Sequence, residues 1–369
     1  MILILFDLRP KENRQELYGR DAELNKLANM LNSDIPLILL FGIRRVGKTS
    51  LLKTCLNELK QPWIYIDARR LDIEGYSKFV LYKILSDEFT RLSSTWTKLK
   101  DVLRMIKGVQ IMGMQVEFDW SKKGLLLSSL FNSINEWMEK EDRYLVIAID
   151  EAQLLRNMKG GKGKIDFRKI IAYCYDNLSR IKFLLTGSEM GLLTDFIGTE
   201  DYESPLYGRG RGELILERFS EDKSISYLEA GFNEYGMNVN VDMLKKIVDK
   251  LDGIVGWLTL IGNTSIKIKK LNDEVIESVI DMAKGMVRNE IQKLLQTSRY
   301  YGLILRSIAR GSTYWKDIKM DVESWMNKPV TNSQISRALE TLLKLSIIEK
   351  RDGGYFIIDP IIKEFSKEL

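Results

Sequence analysis

A chain of 369 residues exceeds one ordinary domain and is long enough for two or three, each able to bury its own core. Hydrophobic residues at 45% and charged residues at 29% argue against a disordered or membrane-embedded chain, and a net charge of +5 neither demands nor rules out nucleic acid. Histidine is absent, which removes His-based triads and His zinc sites and leaves carboxylates as the candidates for any catalytic base.

The opening run Met1–Phe6 is apolar, but Asp7 and Arg9 interrupt it before it reaches the length of a signal peptide or a membrane span, so it reads as a first strand or a packed arm. Asp21 to Leu27 has the spacing of an amphipathic helix. Ile35 to Phe41 is a continuous apolar run of strand length, as expected for a central parallel strand covered on both faces. It runs directly into Gly42-Ile43-Arg44-Arg45-Val46-Gly47-Lys48-Thr49-Ser50, after which Leu51, Leu52, Cys55 and Leu56 continue at helical spacing.

Strand, glycine-bearing loop and helix in this order make a phosphate cradle. Gly42 and Gly47 let backbone N–H groups turn inward, and the helix presents its positive N-terminal end to the anion. Lys48 is placed to reach the β and γ phosphates, and Thr49 to give magnesium a hydroxyl ligand. Arg45, Val46 and Ser50 complete the expected nucleotide-binding loop.

Trp63 to Ile66, ending at Asp67, supplies a further parallel strand, and Asp72 to Asp142 is longer than a minimal crossover. Within it Val109 to Trp120 alternates around Gly113 as an inserted hairpin does. The apolar run Tyr144 to Ile149 ends in Asp150-Glu151, and strand tips are where such sheets bind ligands. Asp150 is expected to hold magnesium, and Glu151 to orient or deprotonate an attacking water. The plainer reading is that the two acids cap the next helix. Lys159 to Lys164 reads as a surface loop. Cys55 and Cys174 both fall in apolar helical patterns and read as core thiols, which suits a reducing, cytoplasmic setting. Ile181 to Leu185 ends in Thr186-Gly187-Ser188, where Thr186 or Ser188 is expected to sense the γ-phosphate.

From Glu217 the pattern turns helical: Ser220 to Ala230, Val241 to Leu251, Gly256 to Ile268 and Asp273 to Leu295, a helical lid. The last segment reads as helices at Tyr301 to Ala309, near Trp315 and at Asn332 to Leu345, then a hairpin turning at Asp352-Gly353-Gly354, the order of a winged helix-turn-helix. From Ser298 it carries twelve Lys and Arg against nine Asp and Glu, a weak argument for DNA. Asn332, Ser333 and Gln334 are candidates for base edges and Lys350 and Arg351 for phosphates; internal docking or protein interaction is the competing reading.

Taken together, Leu17-Tyr18-Gly19-Arg20-Asp21-Ala22-Glu23-Leu24, the phosphate loop, Ile149 to Gln153, Leu185 to Ser188 and Ser204-Pro205-Leu206-Tyr207-Gly208-Arg209 resemble the archaeal ATPase family within the AAA+ and STAND branch of P-loop NTPases. The resemblance covers nearly the whole chain and implies an α/β fold, a parallel-sheet core (1–216) with a helical lid (217–297) and a C-terminal winged helix-turn-helix domain (298–369). It implies ATP or ADP with Mg2+, places Tyr18, Gly19 and Arg20 beside the base, and puts an arginine, Arg209 or its neighbour Arg211, at the γ-phosphate, in cis or across a subunit boundary. Read alone, Arg20 is also a residue that pairs with a surface acid, and the Gly-Arg-Gly-Arg-Gly run also a solvated loop. Asp252 to Leu258 lacks the proline that relatives often carry in the lid. The function implied is a hydrolytic molecular switch read by a protein partner. The alternatives are a DNA-binding ATPase resembling origin-recognition or mobile-element proteins, and a small-molecule kinase. No membrane partner is expected.

Overall fold

The computed structural model describes residues 5–119, 121, 124–158 and 166–369. Met1 to Ile4, Trp120 and the Lys159–Lys164 run lie outside the described residues.

The chain opens with α1 (Asp21–Asn32), β1 (Leu37–Phe41), α2 (Lys48–Glu58), β2 (Trp63–Asp67), α3 (Arg69–Glu74), α4 (Lys78–Thr95) and α5 (Leu99–Arg104). It continues through β3 (Val109–Met112), β4 (Gln115–Phe118), α6 (Leu127–Lys140), β5 (Leu145–Asp150), α7 (Phe167–Asn177), β6 (Ile181–Gly187), α8 (Met190–Ile197) and β7 (Gly212–Ile215). Strands β2-β5-β6-β1-β7 form one parallel sheet in that order. The apolar runs are continuous because both faces are covered. Leu37, Leu39 and Phe41 pack with Ile147, Ile149, Phe183 and Leu185 under the later helices, while Ile38 and Leu40 pack with Val146, Ala148 and Leu184 against Leu24, Leu27, Leu51 and Leu52 of α1 and α2. Cys55 and Cys174 are buried free thiols.

The long crossover holds the β3–β4 hairpin, antiparallel with Met112 opposite Gln115 and turning at Gly113. The expected Gly-Arg-Gly-Arg-Gly loop differs in one respect: its end leads into β7, which pairs with β1 as the sheet's edge. That short run has neither the length nor the unbroken apolarity that marks the central strands.

Helices α9 (Glu221–Asn233), α10 (Val241–Leu251), α11 (Val255–Ile268) and α12 (Asp273–Thr297) follow, close to the expected spans. Ser220 caps α9 by accepting from the Lys223 N–H, with Glu221 and Asp222 in the first turn facing the positive helix end. Next come α13 (Arg299–Ala309), α14 (Trp315–Met326), α15 (Asn332–Lys344), β8 (Ile348–Arg351), β9 (Gly354–Ile357) and a closing α16 (Pro360–Ser366). Three helices and an antiparallel hairpin are the order a winged helix-turn-helix uses. The opening arm packs among the lid helices: the Phe6 ring meets Tyr227 and Phe232 edge-on, and a side chain at Gly231 or Gly262 would overlap it. Among the described residues no helix is long and apolar enough to cross a membrane.

Candidate active site

Parallel pairing brings the carboxyl-terminal tips of β1, β5 and β6 side by side, with Leu40 opposite Thr186 and Ile149 opposite Leu185. A cavity of about 580 Å³ opens over these tips, between the sheet and the lid. Its lining includes Tyr18, Arg20, Arg45, Val46, Gly47, Lys48, Thr49, Ser50 and Glu151. Gly19, Gly42, Asp150 and Thr186 are not part of the lining; Asp150 and Thr186 stand directly behind Thr49 and Glu151.

The turn from β1 into α2 depends on Gly47, which caps the helix at φ +98°, a conformation an L side chain rarely adopts. Just after it, Lys48 Nζ donates to the Ile43 carbonyl at 2.8 Å. Burial pushes the Lys48 ammonium down to about 8, against the pull of Glu151 and Asp150.

Asp150 is wholly buried and accepts hydrogen bonds from Thr49 Oγ1 at 2.8 Å, from the Tyr65 hydroxyl at 3.1 Å and from Thr186 Oγ1. Arg69 Nη2 lies 3.7 Å from its Oδ2. Glu151, at φ +53°, accepts from Gln153 Nε2 at 2.7 Å, Ser188 Oγ at 2.8 Å and the Ser188 N–H at 3.0 Å. Burial works to raise the Glu151 carboxyl, but the Lys48 charge, then Gln153 and Ser188, outweigh it and hold the group below the ordinary glutamate value. Glu151 therefore faces the cavity, while Asp150 stands behind it, bonded to Thr49 and Thr186. Thr186 and Ser188, alternatives in the sequence, serve different carboxylates.

The donor set suits magnesium. A hydroxyl and a carboxylate stand 2.8 Å apart beside a phosphate cradle, and hard oxygen ligands with room for phosphate and water are what that ion takes.

The far end of the cavity is aromatic. Tyr18 and Tyr227 hold their ring centroids 5.4 Å apart, with Phe219, Val255 and Thr259 nearby. Arg20 is buried rather than a surface pair: its guanidinium lies 4.5 Å from the Phe219 ring and donates to the Glu217 carbonyl (2.6 Å), the Val46 carbonyl (3.3 Å) and Glu23 (2.7 Å). It thus ties α1 to the phosphate loop and to the start of the lid. Gly19 leaves space for Lys223, whose Cε would stand 2.5 Å from an added Cβ.

Arg209 lies elsewhere. It pairs with Asp176, with Nε–Oδ1 at 3.0 Å, and donates to the Pro205 carbonyl, while Arg211 pairs with Glu213. Neither lines the cavity, because the loop that carries them turns away into edge strand β7. The arginines that do line it are Arg20, Arg44, Arg45 and Arg69, besides Arg9 at its outer end.

Sequence reasoning did not single out Arg44 and Arg69. Position inside the glycine loop could have found Arg44, and the strand tip at Asp67 could have found Arg69. It had no signal for Glu290 of α12, which binds Arg45 Nη2 at 2.6 Å and also Arg44.

The lid meets the phosphate loop directly. The Gly256 N–H donates to the Arg45 carbonyl at 2.9 Å, and the Arg45 guanidinium lies 4.2 Å from the Trp257 ring. The segment that lacks the proline therefore touches the loop itself.

A family described as an ATPase domain predominantly from Archaea matches residues 17–261. A Walker-type ATPase of Pyrococcus abyssi is 34% identical over 98% of this chain and 99% of its own, with a TM-score of 0.84. The ORC2 protein of Aeropyrum pernix, solved in ADPNP–ADP complexes, shares 14% identity over 99% of this chain and 97% of its own, with a TM-score of 0.60. At that identity the likeness is one of fold. No curated protein matches the chain.

Proposed function

This chain belongs to the family of ATPase domains found predominantly in Archaea, and from that membership we propose that its ATP hydrolysis is magnesium-dependent and drives a molecular switch. Thr49 and Asp150 would hold the ion, which supplies charge neutralisation at the β and γ phosphates. Lys48 binds those same phosphates. Glu151 orients a water and takes its proton as the water oxygen bonds to the γ-phosphorus; the bond to the β-phosphate oxygen breaks and ADP leaves with the electron pair. Ser188 and Gln153 fix the carboxylate for that task. Tyr18, Gly19 and Arg20 form the base side, and Thr186 keeps Asp150 in place.

The observation that carries the switch is the hydrogen bond from the Gly256 N–H to the Arg45 carbonyl. It couples the backbone of the phosphate loop to the first turn of α11, so a loop that rearranges around phosphate moves the lid. The working division is an ATPase core (1–216), a lid (217–297) and a winged helix-turn-helix domain (298–369), in a cytoplasmic protein whose rearrangement a protein partner reads. The STAND-type reading stands on the same coupling.

The test compares magnesium-dependent hydrolysis and ATP binding for the wild type, Lys48→Ala and Glu151→Gln. Lys48→Ala should lose binding, and Glu151→Gln should bind without turning over. Normal turnover by Glu151→Gln would remove the proposed base.

The C-terminal domain has a second reading as a DNA contact, in keeping with its helix order. Against it, the end of the candidate recognition helix α15 is engaged: Lys344 pairs with Asp195 of α8 at 2.9 Å, and Met190 N–H donates to Ser346 Oγ at 2.9 Å. On the wing, Arg351 pairs with Glu349. This favours internal docking. Duplex binding that weakens with salt and is lost in Lys350→Ala/Arg351→Ala would reverse the preference.

A further inference from the structure

Two arginines of the phosphate loop are held by carboxylates from outside it. Arg44 Nη2 binds Glu189 Oε1 at 2.9 Å, just past the tip of β6, and Arg44 Nη1 binds Glu290 Oε1. Arg45 Nη2 binds the other oxygen of Glu290 at 2.6 Å. Glu290 is one acid shared by two cations, and all four residues line the nucleotide cavity.

Glu290 stands seven residues before the carboxyl-terminal end of α12, which leads into α13. On its far side lies a second cavity of about 200 Å³, walled by Arg44, Arg45 and Glu290 and by Ile347, Ile358 and Asp359 of the C-terminal domain. Asp359 accepts the Trp257 indole N–H at 3.0 Å, and that indole is the ring on which Arg45 rests. The arginine–carboxylate cluster is thus the partition between the phosphate site and the junction of lid and C-terminal domain.

Guanidinium groups bind carboxylate and phosphate by the same planar, two-point hydrogen bonding, so the two anions are competitors for one donor. A γ-phosphate adds negative charge at the end of the nucleotide where Arg44 and Lys48 stand, whereas ADP does not. The electrostatic neighbourhood agrees: Arg44 feels Glu189, Glu290 and Glu151, and its charge opposes that of Lys48.

We propose that Glu290 is a counter-ion displaced by the γ-phosphate of ATP, and that Arg44, once freed, is the arginine that touches that phosphate in cis. The inference rests on the reading of the cavity as an ATP site. In the ADP state Glu290 keeps both arginines and α12 stays pinned to the loop. In the ATP state the pin is released, the second cavity gives the carboxylate space to withdraw, and the lid loses one of its ties to the phosphate loop. A ligand shifts such an equilibrium only by its differential affinity for the two states, and here the difference between ATP and ADP is the group that competes with Glu290.

The test uses the full chain and measures MgATP and MgADP affinity and steady-state turnover for the wild type, Arg44→Ala, Glu290→Gln and Lys48→Ala. Loss of the γ-phosphate arginine should lower turnover in Arg44→Ala about a thousandfold while ADP affinity changes by less than about threefold. Removing the competitor should raise the ratio of ATP to ADP affinity about tenfold in Glu290→Gln. A purely structural role for Glu290 would weaken both nucleotides together. Normal turnover in Arg44→Ala, or an unchanged affinity ratio in Glu290→Gln, overturns the proposal. Thermal melting without nucleotide checks folding; if Glu290→Gln does not fold, Glu189→Gln decides, and it should shift the ratio in the same direction by a smaller factor. If Lys48→Ala still binds ATP, the reading of the cavity falls and takes this inference with it. If Lys48→Ala loses ATP while Glu290→Gln leaves the ratio unchanged, the inference alone falls.

Discussion

Two stretches of this chain set paired arginines among glycines: Gly42 to Gly47 with Arg44 and Arg45, and Gly208 to Gly212 with Arg209 and Arg211. The first pair lines the cavity over the sheet tips; the second is tied to Asp176 and Glu213 at the surface. The difference is in what flanks them. The first loop joins the central strand β1 to α2, and the left-handed Gly47 at the helix cap fixes the direction in which its residues face. The second runs from the end of α8 into an edge strand, where nothing forces an arginine toward the sheet tips. A basic glycine-rich run acquires a site only when the backbone around it is committed to one.

The widest gap between the pairs should appear in turnover. Against the loss expected for Arg44→Ala, Arg209→Ala and Arg211→Ala should stay within about threefold of the wild type, since exposed ion pairs contribute little. Steady-state hydrolysis at several protein concentrations checks this. A large loss in Arg209→Ala that depends on concentration would break the comparison, because it would show the arginine acting on a neighbouring chain.

A second gap concerns stability. Arg20 is 4% exposed, stacked on Phe219 and bonded to two carbonyls and Glu23, so Arg20→Ala leaves a half-buried carboxylate and two carbonyls without their donor. Denaturant unfolding should show a loss of about 3 kcal/mol, against less than about 0.5 kcal/mol for Arg211→Ala.

Smaller again is the effect of crowding the contact between lid and loop. A Cβ at Gly256 would lie 2.8 Å from Arg45 Cβ and 3.2 Å from the Arg45 carbonyl oxygen. Gly256→Val should therefore force α11 off the loop and weaken ATP about tenfold, with overpacking as the cause. An unchanged affinity would mean that the Gly256–Arg45 hydrogen bond has no part in nucleotide binding.

What could be read in the sequence follows the same division. Central strands, the phosphate loop and the Asp150-Glu151 tip were legible because each is contiguous: an apolar run, a glycine spacing or a pair of acids carries its meaning within a few residues. The lid and C-terminal helices were legible from periodicity. The aromatic end of the cavity was only partly so, because Tyr18, Phe219, Tyr227 and Thr259 come from separate segments and meet only through packing. Glu290 was invisible: an acid on the polar side of a 25-residue helix looks like any solvated charge until the fold sets it against Arg44 and Arg45. The same limit explains Arg209, whose spacing resembled a motif although its neighbours place it at the surface.

The smallest effect expected separates Lys48 from the arginines beside it. Arg44 and Arg45 are both paired with carboxylates, and in spite of burial the Glu290 and Glu189 charges hold the Arg44 guanidinium above its ordinary value. Lys48 is buried with its hydrogen bond on a backbone carbonyl, and its ammonium is pushed down to about 8. The folded, nucleotide-free protein therefore gives up this proton more readily than the unfolded chain, so the cost of burying the charge is present at neutral pH and is relieved as pH rises from about 8 toward the unperturbed lysine value of 10.5. Phosphate binding demands the charged form. Between pH 7 and 8.5 ATP affinity should fall about fourfold as the proton has to be taken up on binding. In Lys48→Arg, which cannot lose its charge, affinity should be weaker but flat across that window once the titration of ATP itself is subtracted. Equal slopes for the two proteins would mean that Lys48 keeps its proton in the empty site, and that Glu151 and Asp150 offset the burial.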